Sequence, residues 1–243
     1  MKITALIQAR MGSSRLPGKV MEDIEGKAML ARVIERVQKA AGLSAVAVVT
    51  SVTEQDQAIE NFCLRVGVPC FRGSENNVLD RYYRAASYFK AEAVMRITSD
   101  CPLIDPVVID ELIWMFKEAK ADYGSNFFER RFPRGLDAEV MTFAALEKVW
   151  MQAKEPYQQT HVTPYFYQNP SLFNIASLRC PMDQSAKRWT VDTLDDLCFV
   201  RAVYHILRPR DFFNWREILD VLKHNPGLEI LNSNVPQKKL HES

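Results

Sequence analysis

The chain has 243 residues, 47% of them hydrophobic, with 31 basic and 30 acidic side chains and a formal net charge of +1. That is enough apolar material for one large or two small packed domains, and the near-neutral charge argues against a general nucleic-acid binder, which carries a basic excess. No run of about eighteen apolar residues occurs, so no membrane span is expected. In chain order, residues 2–7 form a short apolar run fit for a buried strand. Over 26–42, Met29, Leu30, Val33, Ile34 and Val37 share one helical face. A valine-rich strand follows at 45–50. Ala58, Ile59, Phe62, Cys63 and Val66 mark a second helix, stopped by Gly67 and Pro69. Val78, Leu79, Tyr82, Ala86 and Phe89 mark a third. Residues 93–98 read as a strand, and Asp105-Pro106 opens a fourth helix with Asp as cap and Pro in the first turn. Such alternation implies a mostly parallel sheet covered on both faces. The second half is less regular. It has strands expected at 137–143 and 172–178, helices at 144–153, 193–207 and 215–223, and a loop at 127–134 rich in Phe and Arg. The polar stretch 233–243 reads as a mobile tail.

The five cysteines form no C-x-x-C pair, and no His/Cys pair has the spacing of a structural zinc site. They read as reduced thiols. With no signal-peptide pattern at the N-terminus, a cytoplasmic location is expected.

Residues 8–19 read Gln-Ala-Arg-Met-Gly-Ser-Ser-Arg-Leu-Pro-Gly-Lys. Three fixed cations, Arg10, Arg15 and Lys19, stand there with two glycines and two hydroxyls, directly after a strand end. A small-residue cationic loop between strand and helix is how α/β proteins hold phosphates. Glycines let the backbone come close, N–H groups point at the anion, and Arg and Lys balance its charge. The dinucleotide spacing G-x-G-x-x-G is absent. The Walker A spacing is a near miss, because Ser13 stands for its first glycine, Val20 has no hydroxyl for a metal and Pro17 has no amide. On the residues alone, a basic surface turn remains the alternative.

Strand 93–98 ends at Ser99-Asp100-Cys101-Pro102. Ligands of open α/β sheets collect beyond the carboxyl ends of the strands, so Arg10 and Asp100 would meet there. An acid beside a phosphate loop makes sense when a divalent ion joins them. Magnesium prefers one or two carboxylates with phosphate oxygens and water. Alternatively, Asp100 only orders the turn before Pro102. Residues 189–197, Trp-Thr-Val-Asp-Thr-Leu-Asp-Asp-Leu, read locally as a helix start, in which Thr193 and Asp196 form a capping-box variant.

The loop fits R-x-x-S-x-R-x-P-x-K. It resembles the start of the cytidylyltransferases that activate sugar acids, the acylneuraminate and 3-deoxy-manno-octulosonate enzymes. The spore-coat polysaccharide biosynthesis F-type proteins are similar almost letter for letter. The stretch 96–104 resembles the family's second motif, in which the Asp, here Asp100, binds magnesium. The run V-D-T-x-x-D-L resembles its third, in which Asp192 is the second metal ligand; Leu194 stands where the family usually has Pro, and Asp195 is a reserve ligand. The likeness spans residues 2 to about 204.

The resemblance implies a three-layer α/β/α nucleotide-diphospho-sugar transferase-like (Rossmann-like) fold with a mostly parallel mixed sheet. It implies a single nucleotidyltransferase domain over 1–232, with a nucleotide half at about 1–122, an acceptor and dimerisation half at about 123–232, and a homodimer. The implied reaction moves CMP from CTP to a sugar acid and releases pyrophosphate, with Mg2+ as cofactor. Arg10, Lys19 and Asp100 would be catalytic. Gln8, Ala9, Gly12, Ser13, Arg15, Asp80 and Arg81 would join Arg10 and Lys19 around the nucleotide. Asp137, Glu139 and His161 would face the sugar. Asp137 and Glu139 alternate with apolar residues, so a strand would put both on one face. Two readings compete: a nucleotide-sugar glycosyltransferase on a related fold, and a non-catalytic nucleotide-binding subunit of polysaccharide assembly.

Overall fold

Alternate residues of the first strand, β1 (Ile3–Gln8), feed opposite cores. Ile3, Ala5 and Ile7 pack on one side of the sheet and Leu6 on the other, because successive strand side chains point to opposite faces. The computed structural model describes residues 1–210 and 212–237. A two-residue hairpin, β2 (Asp23–Ile24) and β3 (Lys27–Ala28), stands apart. The remaining strands, β4 (Ala45–Ser51), β5 (Cys70–Gly73), β6 (Ala93–Thr98), β7 (Tyr123–Ser125), β8 (Glu139–Thr142) and β9 (Ile175–Ser177), join β1 in one sheet of order β5-β4-β1-β6-β8-β7-β9. Strands β5, β4, β1 and β6 run parallel, whereas β8 is antiparallel to both β6 and β7. The mostly parallel mixed sheet expected from the sequence is present.

One face is covered by α1 (Met29–Val37), α2 (Gln57–Arg65), α4 (Pro106–Glu118), α8 (Leu194–Ile206) and α9 (Trp215–His224). The other carries α3 (Val78–Tyr88), α5 (Phe143–Gln152) and the short helices α6 (Pro156–His161) and α7 (Pro164–Gln168). Asp105 caps α4 by accepting from the Val107 amide at 2.8 Å. Thr193 and Asp196 close the capping box of α8. No helix of the described residues is long and apolar enough to cross a membrane.

Three expectations change. Helix α1 is shorter than 26–42, because Glu25 and Gly26, at φ 51 and 82, turn the preceding chain into the β2–β3 hairpin. The strand expected from 137 starts only at Glu139, so Asp137 lies outside it. Within the stretch expected as a mobile tail, Gln237 is tied down, its side chain accepting a hydrogen bond from Arg188 Nη1 at 2.7 Å; residues 238–243 lie outside the described residues.

The two directions of the sheet meet at β6 and β8. There Arg96 and Glu139 are directly opposite and form a buried ion pair. Glu139 also accepts from the Tyr123 hydroxyl at 2.6 Å, and Arg96 Nη2 reaches Gln8 Oε1 at 3.3 Å.

Candidate active site

The segment after β1 is held down from below. Ala9 N–H donates to the Val49 carbonyl at 3.0 Å, and Met11 N–H donates to Asp56 Oδ1 at 2.7 Å. Asp56 is buried at the far end of β4 and also takes the Ser51 amide. The amides of Ser13 and Gly18 both reach the Met11 carbonyl at 2.9 Å, folding the loop back on itself. Gly18 sits at φ 73, where a side chain would be strained, and this turn delivers Lys19 inward.

Lys19 is 8% exposed, and all three of its N–H groups are used. Nζ lies 3.3 Å from Asp100 Oδ2, 2.9 Å from Asp192 Oδ1 and 2.7 Å from the Val191 carbonyl. Burial alone would lower its pKa; the pull of Asp100 and Asp192 more than offsets this and leaves it raised. Asp192 is held below the usual carboxylate range, because Lys19 and Arg15 outweigh the effect of its burial. Arg15 Nη2 and Arg188 Nη2 each lie 2.8 Å from Asp192 Oδ2. The Asp100 carbonyl accepts from the Val191 amide at 2.8 Å, which ties the β6–α4 turn to the segment before α8. Two carboxylates remote in sequence thus converge on one ammonium.

That pair fits a hard divalent cation, which takes one or two carboxylates and completes its shell with phosphate oxygens and water. No group of three or more His, Cys, Asp or Glu gathers into a metal cage among the described residues, so the remaining ligands would come from substrate and solvent. Asp195 is exposed on the first turn of α8, away from the pair.

A cavity of about 780 Å³ opens above Lys19. Gln8, Arg10, Ser13, Arg15, Lys19, Asp100, His161 and Asp192 all line it, as do Ser14 and Ser99. Its far wall brings Phe127, Arg130 and Arg134 from the Phe/Arg loop, and Gln237 from the C-terminal segment. The structure does not bring the other expected residues to this wall. Ala9 is buried beneath the loop, and Gly12 lies beside Gln55. Asp80 is occupied by Arg84 at 2.7 Å and by Trp150 Nε1 at 3.0 Å. Arg81 is buried, with Nε and Nη1 lacking partners, and burial lowers its pKa. Asp137 is gripped by Arg130 through two bonds, at 2.7 and 2.9 Å. Glu139 is 1% exposed and committed to Arg96 and Tyr123, so it turns into the protein rather than toward a sugar.

Sequence reasoning missed Asp56, Arg188 and Gln237. Asp56 and Arg188 act on the site through other residues, and isolated charges give no sign of that. The aromatic-basic character of 127–134 was a visible signal for Arg130 and Arg134.

The cytidylyltransferase family model matches residues 4–221. The chain belongs to the cytidylyltransferase family. Spore coat polysaccharide biosynthesis protein SpsF of Bacillus subtilis is 33% identical, over 92% of this chain and 95% of that protein. A 3-deoxy-manno-octulosonate cytidylyltransferase of Geobacter sulfurreducens is 42% identical over 113 residues, 46% of this chain and 44% of that one. The structure of a cytidylyltransferase from Leptospira borgpetersenii superposes with a TM-score of 0.91 at 32% identity, covering 98% of this chain and 100% of that chain. These likenesses make the cytidylyltransferase a nucleotidyltransferase of Rossmann-like α/β architecture, in line with its sheet order.

Proposed function

We propose that this cytidylyltransferase moves CMP from CTP to a hydroxyl of a sugar acid of the nonulosonate or octulosonate kind, releasing pyrophosphate, in the synthesis of a surface polysaccharide. The observation that carries the reading is the convergence of Asp100, Asp192 and Lys19 on the floor of a cavity edged by Arg10 and Arg15. In the transfer, the acceptor oxygen bonds to the α-phosphorus, the α–β phosphoanhydride bond breaks, and pyrophosphate carries away the electron pair. No enzyme nucleophile is required, and catalysis is alignment with charge stabilisation. Arg10 lies on the open side of the loop with no ion pair among the described residues, so its charge is available to the triphosphate. Arg15 and Lys19 are held in place by Asp192, which aims them into the same space. Gln8 is steadied by Arg96 at the end of β1.

Asp100 and Asp192 would hold magnesium, which supplies charge neutralisation at the phosphates and acidifies a bound hydroxyl. The reading also carries a single catalytic domain over 1–232 with nucleotide and acceptor halves meeting near residue 122, a homodimer and a cytoplasmic location.

The test is thermal unfolding with CTP, UTP, GTP and ATP, each with and without magnesium, followed by pyrophosphate release with acylneuraminate and 3-deoxy-manno-octulosonate. A CTP-selective, magnesium-dependent rise in Tm is expected, since a ligand that binds only the folded state stabilises it by mass action. Release of nucleoside diphosphate from a nucleotide-sugar would instead identify a glycosyltransferase.

A further inference from the structure

Five fixed cations line the main cavity, and three of them are already paired. Arg15 and Lys19 are held by Asp192, and Arg130 by both oxygens of Asp137. Arg10 serves the triphosphate in the reading above. That leaves Arg134. Its guanidinium has no ion pair or hydrogen bond among the described residues, although Asp137 is close enough to act on its charge. Both Asp137 oxygens are spent on Arg130.

Arg134 is not a loose surface side chain. Its amide donates to the Lys187 carbonyl at 3.0 Å, and its carbonyl accepts from the Trp189 amide at 2.7 Å. The next residue, Gly135, has φ 103 and presses so closely on residue 189 that a Cβ would lie 2.6 Å from the Trp189 carbonyl carbon. The backbone that carries Arg134 is therefore locked. Burial, and then the like charge of Arg130, push its guanidinium below its ordinary pKa, a condition that a bound anion would relieve.

Arg134 also stands at a junction. A second cavity of about 350 Å³ shares Arg134 and Gln237 with the main one. Its other cations are satisfied: Lys187 by Glu229 at 2.7 Å, and Arg188 by Asp192 and Asp196. Trp189, Phe199 and Val235 supply apolar wall. The side cavity thus offers a packed surface and one uncommitted positive charge at its mouth.

We propose that the side cavity holds the part of the acceptor that bears an oxyanion, a carboxylate or a phosphate, and that Arg134 reads that group. The acceptor then spans both cavities, with its attacking hydroxyl toward Asp100. This rests on the nucleotidyl-transfer reading, and the experiment keeps the two separable. Isothermal titration with inorganic phosphate, and in a parallel arm with malonate, is run on protein saturated with α,β-methylene-CTP and magnesium. Wild type is expected to bind one of these anions beside the nucleotide. Arg134→Gln should bind it about tenfold more weakly with unchanged affinity for the nucleotide analogue, since a charge-assisted bond is lost. Arg134→Lys should keep part of the anion affinity, which excludes a folding defect, and Lys117→Gln on α4 should match wild type. The preferred anion distinguishes a phosphate from a carboxylate. Anion binding unchanged in Arg134→Gln, or seen only without the nucleotide analogue, overturns the proposal. Failure of the analogue itself to bind overturns the nucleotidyl-transfer reading instead, and phosphate titrated into nucleotide-free wild type and Arg134→Gln still decides Arg134.

Discussion

Lys19 Nζ lies 3.3 Å from Asp100 Oδ2 and 2.9 Å from Asp192 Oδ1, so one ammonium joins two acids ninety-two residues apart in the chain. Replacing Asp100 by Ala removes the acid from the β6 end while leaving Lys19 its bonds to Asp192 and Val191. Pyrophosphate release should fall by about 100-fold or more, the scale seen when one charge-stabilising group is lost, and the magnesium dependence should weaken. Steady-state kinetics across a magnesium series checks this, and a near-normal kcat would remove Asp100 from the mechanism.

Arg10→Ala should separate activity from stability. The residue is exposed and has no ion pair among the described residues, so Tm should not move. The transition state should lose about 2–4 kcal/mol, read as a fall in kcat/KM. An unchanged rate together with unchanged CTP affinity would exclude the phosphate-loop assignment.

Asp196 makes the opposite kind of contribution. It is fully buried, bonded to Arg188 at 2.8 Å and to the amides of Asp192 and Thr193 at 3.0 Å. Burial would raise its pKa, but Arg188 and these bonds hold it below the ordinary 3.8. A carboxyl with a depressed folded pKa stabilises fully above its unfolded value, and that contribution drains away as pH falls through the folded one. Asp196→Ala should therefore cost about 2 kcal/mol near neutrality, because the Asp192 and Thr193 amides lose their buried acceptor and Arg188 is left with Asp192 as its carboxylate partner. The gap from wild type should narrow as the pH drops below 3.8. Urea unfolding across that acid range measures it.

Gly135→Ala would place a methyl against the Trp189 carbonyl in a backbone region that side chains avoid. A loss of about 2–3 kcal/mol in unfolding free energy is expected. A gain or no change would mean that the loops at 134 and 189 can part without strain.

Chelation should stop turnover and leave Tm in place. Lys19, Arg15 and Arg188 already balance the charge of Asp192, so the fold does not depend on a metal for that task. Magnesium should restore the rate, and a large drop in Tm on adding EDTA would show a structural metal instead.

Much of the fold was legible because its apolar residues keep a strict period. β6 and the cap of α4 stand where the pattern put them, and the first-half helices follow their apolar stripes. Strand-end placement brought the phosphate loop and Asp100 together, whereas Asp192 joined them only through the family resemblance, since its own segment reads locally as a helix start. What escaped was chemistry spread over distant positions. Short elements such as β5 and β7 give too few residues for a period to show. Alternation placed Glu139 on a face shared with Asp137, but nothing local says that Arg96 waits inside on the neighbouring strand. Likewise Gln237, in a polar stretch, gave no sign of its bond to Arg188.

The pairing of Arg96 with Glu139 also fixes how the two halves of the sheet are phased. A slip of β8 by one residue against β6 would turn Glu139 to the opposite face and leave a guanidinium alone in the core. It would also drag the chain leading into β8, which carries Phe127, Arg130 and Arg134, by about 3.4 Å along the cavity. One buried ion pair therefore works as a ruler, setting how far the acceptor wall stands from the phosphate loop.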